Sequence, residues 1–311
     1  MVLCIKTRWY FTLKNELNKP NKHHYVPQFY LRQFSCSECE YKVPTASLNG
    51  SYIIVNNKSI EGVGYEDKLY SISNQNIEWC IEERLNRTIE TPISQSSTWE
   101  KIKNNQPECL NEEDKLILYL FMRHVEARNL EMLEFIRSEH KKFSDPRFFH
   151  EYTASERDMH SYIALTENGE EHLYLEMTGD IERFLVDFEK VSISIIESNI
   201  PIRTSTNPVV TLPEMMTYQG EGNGVVVAKW LPLSPRFGAM FYFCENFNDF
   251  NPSSIAGDDV IRSLNRLYII QILNSKTVRH VITSDEYLVE DLQWAKVFVD
   301  PGNPKKYKIK R

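Results

Sequence analysis

The sequence predicts an α+β protein, with a mainly helical first half packed on a mixed or antiparallel sheet from the second half. Three observations carry that reading. Apolar residues recur at three and four through residues 76–90 and 111–136, the spacing of one helix face. Period-two alternation takes over between 191 and 243, from Val191-Ser192-Ile193-Ser194-Ile195 to Phe237-Gly238-Ala239-Met240-Phe241-Tyr242-Phe243. Only 11 of the 311 residues are glycine, which argues against a turn-rich β-sandwich and against Gly-rich phosphate loops. No Pro/Gly/Ser-rich linker separates the halves. The chain therefore reads as a single α+β domain over 21–285, with an N-terminal leader at 1–20, a polar, histidine-bearing insertion near 140–175, and a C-terminal extension at 286–311 ending in a basic tail.

Taken in order, the first element is the stretch from His23-His24 to Phe34. Tyr25 and Val26 precede Pro27, and a residue before proline avoids the α region, so they should be extended. A short helix should start at Pro27, where a missing N–H costs nothing. Residues 40–75 read as β, with a strand at Ser51–Val55 between Asn49-Gly50 and Asn56-Asn57 and a short extended piece at 62–70. A helix is expected from Asn76, on the spacing Ile77, Cys80/Ile81, Leu85, Ile89. Asn111 with Asp114 three residues on resembles a capping box, opening one long helix whose stripe runs from Leu116 through Val125 and Leu130 to Ile136. Thr178 to Glu189 reads as helix. Strands follow at 191–196, then strand–turn–strand at 203–210, then 224–228, 230–233 and 237–243. Pro252 to about Thr277 reads as the last helix, and the tail from Lys305 to Arg311 as frayed or as a weak basic contact.

Composition bounds the function. A hydrophobic fraction of 41% and a charged fraction of 25% are those of a soluble globular protein. The net charge of -7 argues against a whole-surface grip on nucleic acid, while a local basic cleft stays open. The longest apolar runs fall far short of the ~20 residues that cross a bilayer, so no membrane association is expected. The first ten residues make a poor signal peptide, and six scattered cysteines read as reduced thiols of a cytoplasmic protein.

The chemistry gathers in four places. His23 and His24 are adjacent, and on extended chain they point to opposite faces. One reading has them fixing a turn; the other makes one a general acid/base or a metal ligand. Gln28 and Arg32, one helical turn apart, add an amide and a cationic fork. Glu78, Glu82 and Glu90 can share a helix face, either solvated beside Arg84 and Arg87 or arranged to hold a divalent cation or orient a base. Arg123, His124, Glu126 and Arg128 interrupt an apolar helix, which therefore surfaces there or faces a cleft. Thr204-Ser205-Thr206-Asn207-Pro208 is a turn between strands whose hydroxyls and amide bond backbone or cradle an anion. Cys36-x-x-Cys39 lacks a second pair at zinc spacing, and no Walker loop, Rossmann glycine pattern, Gly-x-Ser-x-Gly or HExxH occurs.

The run His23-His24-Tyr25-Val26-Pro27-Gln28-Phe29-Tyr30-Leu31-Arg32-Gln33-Phe34-Ser35 resembles the opening of the bacterial family catalogued as domain of unknown function 4238. Further matches follow in order: Glu82 and Glu90 around Leu85, the helix ending in Arg128, Thr204-Ser205-Thr206-Asn207-Pro208-Val209, Pro232-Leu233-Ser234-Pro235, and Asn265 in the last helix. The resemblance spans roughly 21–275 and implies a site assembled from these segments. Thr206 stands where the family usually has Asp, which puts any chemistry dependent on that charge in doubt.

Together these residues lead to an expected hydrolase, nuclease-like, acting on a phosphate-bearing nucleotide or nucleic-acid substrate. His23 or His24 would be general acid/base, with Gln28 beside them. Glu82 and Glu90 would orient the base or hold Mg²⁺ or Mn²⁺. Arg32, Arg128, Ser205, Asn207 and Asn265 would bind the substrate. The alternative is a non-catalytic binding or interaction subunit of a bacterial defence or mobile-element system, working with a protein partner or as a homo-oligomer. The two differ in a visible way: an open, polar-lined pocket under the first, a buried and mutually satisfied network under the second.

Overall fold

The computed structural model describes residues 21–36, 39–74, 77–143, 147, 185–212, 227–243, 249–283, 287–299 and 308–310. The leader at 1–20, nearly all of the insertion near 140–175, the start of the helix expected from Thr178 and the beginning of the strand expected at 224 lie outside the described residues.

The fold is α+β. Strand β1 (Lys22–His24) carries both histidines. Pro27, extended at ψ 132°, stops it, and helix α1 (Gln28–Leu31) follows, tightening into a 3₁₀ turn at Arg32–Phe34. Strands β2 (Lys42–Asn49) and β3 (Tyr52–Ser59) form the hairpin announced by Asn49-Gly50, with Gly50 at φ +59°. Strand β4 (Tyr65–Asp67) returns to pair with β1, placing His23 opposite Glu66. Gly64 makes this possible: its carbonyl accepts from the amides of Tyr25 (2.8 Å) and Val26 (3.2 Å), its φ is +67°, and an added Cβ would sit 2.7 Å from Val26 Cβ.

The helix expected from Asn76 begins later. Strands β5 (Ser71–Asn74) and β6 (Ile77–Cys80) pair antiparallel, so Glu78 is on a strand and shares no helix face with Glu82. The backbone register, Ser71 opposite Cys80 and Asn74 opposite Ile77, shows hairpin pairing prevailing over a helical spacing of three and four. Helix α2 (Ile81–Leu85) opens into a π-helical turn at Asn86–Glu90, then α3 (Thr91–Ser94) and α4 (Ser97–Lys103), the last capped by the Ser96 hydroxyl accepting from Trp99 N–H. The Asn111–Asp114 capping box is present and opens α5 (Lys115–Ala127). The expected single helix breaks at Arg128-Asn129. Asn129 Oδ1 accepts from Met132 N–H at 2.8 Å and so starts α6 (Leu130–Phe143) as a cap.

Strand β7 (Val191–Glu197) follows a 3₁₀ turn at Leu185–Lys190. Strands β8 (Thr204–Ser205) and β9 (Val210–Thr211) flank the Asn207-Pro208 turn. The two strands expected at 224–233 are, where described, one: β10 (Val227–Pro232). It pairs with β11 (Phe237–Phe243), whose Gly238 lies beneath the Trp230 ring. Phe250–Ile255 is strand β12, so the helix expected from Pro252 begins later; β12 lies parallel to β7 at the sheet edge, where Pro252 removes no needed donor. Helix α7 (Asp258–Asn274), strand β13 (Val281–Ile282), helix α8 (Leu288–Val299) and strand β14 (Lys308–Lys310) complete the chain. The end of the expected frayed tail is thus a strand parallel to β3, with Lys310 Nζ 4.2 Å from the centre of the Tyr52 ring.

One five-stranded sheet runs β12-β7-β11-β10-β9, and a second runs β14-β3-β2-β13-β8. The first has a core on each face. Ile193, Ile195, Phe237, Ala239 and Phe241 pack with the aromatic knot of Phe29, Tyr30, Trp99 and Phe121 from the first half. Trp230, Met240 and Val210 pack with Leu264, Tyr268 and Ile272 of α7. Alternation along each strand sends neighbours to opposite cores. Among the described residues, no helix is long and apolar enough to cross a membrane.

Candidate functional site

The first region is built under β1 and α1. His23 is fully buried: its Nδ1 accepts from the Tyr70 amide at 2.9 Å, its ring stacks on Tyr70 at 6.0 Å, and its Nε2 lies 3.8 Å from Glu82 Oε2. His24 faces the other way, as alternation requires, with Gln28 Nε2 3.3 Å from its Nδ1 and the Tyr65 ring beside it. The His24 amide donates to Glu82 Oε1 at 2.8 Å. Arg128, at the α5–α6 break and fully buried, ties the rest together. Its guanidinium pairs with Glu90, donates to the His24 carbonyl, donates through Nε to Tyr70 Oη at 3.3 Å, and lies 5.0 Å from the centre of the Tyr70 ring. His124, one turn earlier on α5, brings Nε2 to 3.3 Å from Glu90 Oε1 and 3.2 Å from Arg128. A buried charge is tolerated only when paired and hydrogen-bonded, and Arg128 has both.

Desolvation governs the titration here. Burial lowers the His124 imidazole to about 3, so it is neutral at ordinary pH. Burial also lowers His24, with Arg128 and Lys22 adding to the shift and a hydrogen bond to the Glu61 carbonyl opposing it. Burial raises the Glu82 carboxyl, against the pull of the His24 amide and Arg128. Glu82 Oε2 is buried without a hydrogen-bond partner among the described residues, 3.8 Å from His23 Nε2.

The remaining sequence-predicted residues lie elsewhere. Arg32 is exposed on the 3₁₀ turn after α1 and does not join the cluster. Asn265 is a buried brace: Oδ1 accepts from the Arg203 amide and Nδ2 donates to the Pro201 carbonyl, both at 2.8 Å. Ser205 Oγ donates to the Asn207 carbonyl (2.8 Å) and accepts from the Asn207 amide (2.9 Å), with Gln271 Oε1 at 3.0 Å. These bonds fix the turn. At Thr206, Oγ1 accepts from the amides of Arg279 (2.9 Å) and His280 (3.3 Å). The hydroxyl therefore fills the acceptor role that a carboxylate would fill, without its charge. The hallmark segment reaches this turn through tyrosines: Tyr30 Oη lies 2.6 Å from Thr204 Oγ1, and burial raises the Tyr25 phenol to about 12 despite the Thr206 hydroxyl beside it.

The second region is a groove of about 550 Å³ between α6, α7 and β9. It receives Asn207, whose Oδ1 is buried with no hydrogen-bond partner, together with Glu126, Glu131 and an apolar wall. The two regions share the α5–α6 corner: Arg128 turns inward, while Glu126, Asn129 and Glu131 face the groove.

The donor set under α1 does not fit a divalent cation. Glu90 is engaged by Arg128 and His124, Glu82 by the His24 amide, and burial favours the neutral form of Glu82. Among the described residues, no group of three or more His, Cys, Asp or Glu side chains is arranged to hold a metal ion. Sequence reasoning left His124, Tyr70 and Gln271 out of the site. His124 carried a signal, four residues before Arg128 on one helix face; Tyr70 and Gln271 carried none, because their partners are 47 and 66 residues away.

A model of the family described as Protein of unknown function (DUF4238) matches residues 22–287, from the first residue of β1 to the threshold of α8. No curated protein and no solved structure matches the chain.

Proposed function

The chain belongs to the family described as Protein of unknown function (DUF4238), and we propose that it acts as a non-catalytic binding and interaction subunit, of the kind expected for a bacterial defence or mobile-element assembly. One observation carries this reading. The Arg128 guanidinium, which would steady a phosphate in a hydrolase, is fully buried and committed to Glu90, the His24 carbonyl and Tyr70. A substrate anion would have to break that set and leave Glu90 unpaired in a desolvated place, at a cost of about 3–5 kcal/mol. His23, Glu82 and Arg128 then act as a buried keystone joining β1, α2 and α5. Hydrolysis assays on nucleotides, RNA and DNA with Mg²⁺ or Mn²⁺, wild type against His23→Ala and His24→Ala, test it. The expected outcome is no histidine-dependent turnover and a loss of stability in both variants. Turnover that disappears with His24 would overturn it.

A second reading keeps the hydrolase, nuclease-like and acting on a phosphate-bearing substrate. It rests on the margin of the same cluster. His24 is the least buried of its histidines at 8% exposure, burial lowers its pKa, and its ring sits against half-buried Gln28 while its main-chain amide is held by Glu82. A neutral imidazole at the margin of a buried cluster can take up a proton as a general base, and Glu82 would position it through the main-chain amide. Under this reading the Glu82→Gln variant folds and loses turnover.

A further inference from the structure

We infer that the groove between α6, α7 and β9 binds an extended peptide segment of a partner protein, cationic and apolar, laid along the open edge of β9. The inference rests on the binding-subunit reading and names the occupant.

The backbone comes first. Among the described residues β9 is the last strand of its sheet and pairs with β10, Thr211 opposite Lys229 and Val210 opposite Trp230. The Leu212 amide donates to Ala228 at 2.9 Å, so 212 and 228 form a hydrogen-bonded pair. Bonds alternate along an antiparallel ladder, and Thr211 accordingly turns its N–H and C=O away from β10, toward the outer edge. An exposed edge with unpaired donors and acceptors is a template for an added strand.

The side chains set the composition of that strand. Met132 and Phe135 of α6, Val209 and Val210, and Leu267 and Ile270 of α7 make the walls, and Phe135 leaves 55% of its surface in water. Apolar surface of this kind in a polar rim marks an interaction site. Both charged side chains that line the groove are carboxylates, Glu126 and Glu131. Glu126 already carries Lys229 and Arg123. Glu131 is exposed and forms no ion pair among the described residues, and Asn207 Oδ1 lacks a donor. Among the described residues, no lysine or arginine lines the groove. Acceptors without donors call for a cation, so lysine or arginine alternating with apolar residues complements both sets, one toward Glu131 and Asn207, the other toward Phe135 and Ile270.

The test is fluorescence anisotropy on the full chain, with a labelled peptide of alternating lysine and valine and a glutamate–valine counterpart. The lysine peptide should bind and weaken with added salt. Glu131→Lys should weaken it about tenfold or more. Thr211→Pro should also weaken it, because it deletes only an outward N–H, and Phe135→Ser should do so by removing wall. Thermal melts verify that each variant is folded. No binding, equal binding of the glutamate peptide, or binding indifferent to Glu131→Lys overturns the proposal. So does a dimer by light scattering that Glu131→Lys and Phe135→Ser dissociate, which would make a second copy the occupant. Histidine-dependent turnover, by contrast, would reject the binding-subunit reading through a separate measurement, so the two failures are distinguishable.

Discussion

Arg128 and Glu131 lie three residues apart across the α5–α6 break and meet opposite fates. Arg128 is sealed inside, and each face of its guanidinium has a partner in β1, the π-helical turn or Tyr70. Glu131 stands in water at the rim of a groove whose other charged lining residue, Glu126, is also a carboxylate. The cluster is closed: removing any member leaves a buried group unpaired. The groove is open: its groups are short of partners. What this teaches is that polar residues in a family-like order do not mark the reactive surface by themselves. Under the proposed binding role, the closed region holds the chain together and the open one meets the partner.

The largest test of that contrast is Arg128→Met, expected to cost about 3–5 kcal/mol in urea denaturation, because Glu90 and the His24 carbonyl stay buried without their cation. Adding Glu90→Met should restore part of the loss. A fully additive double variant would mean the pair is not coupled and the cluster not closed. Next comes pH. His124 has its folded value at about 3, below the ordinary 6.5, so its contribution is complete above 6.5 and is lost as pH falls toward 3. At pH 5 the loss is about 2 kcal/mol, and the lowered His24 acts in the same direction. Glu82, raised in the folded state, has the opposite sign and relieves part of the loss as it protonates. His124→Gln should flatten the stability–pH curve; an unchanged slope would show that the ring is not the titrating group.

Gly238→Ala should cost about 1–3 kcal/mol, since the new Cβ would lie 2.7 Å from Trp230 Cζ2 and 2.8 Å from the Leu231 carbonyl. Trp230 pairs with Val210, so this strain should also lower peptide affinity at the groove while leaving the His–Glu–Arg cluster intact. Smallest in stability is Glu131→Lys, within about 0.5 kcal/mol by thermal melt, as befits an exposed residue without a partner. A large destabilisation there would mean that the groove, too, is a closed network.

Much of the fold was legible. The capping box at Asn111–Asp114, the Asn49-Gly50 hairpin and the alternation of Val191–Glu197 and Phe237–Phe243 are local signals, each decided within a few residues. Where local spacing lost, a partner had outweighed it: Ile77–Cys80 paired with Ser71–Asn74, and Phe250–Ile255 with β7. Of the expected site, His23, His24, Gln28, Glu82, Glu90 and Arg128 do converge, whereas Arg32 surfaces and Asn265 braces Arg203. A fully buried ion pair beyond the cluster, Arg203 with Asp291 at 2.8 Å, had no local signal at all.

By itself the sequence determined the α+β class, the strand–proline–helix shape of the hallmark segment, and the alternation that sends His23 and His24 to opposite sides. These follow from periodicity and backbone sterics, which act between near neighbours. Only the tertiary structure decided that Arg128 would reach across 104 residues to the His24 carbonyl, that Thr204–Thr211 would cross from one sheet to the other, and that Asn207 would open onto a groove. Those outcomes depend on which polar groups lose water together. Desolvation is a property of the packed whole: it pairs and buries residues whose spacing along the chain could not show that they would meet.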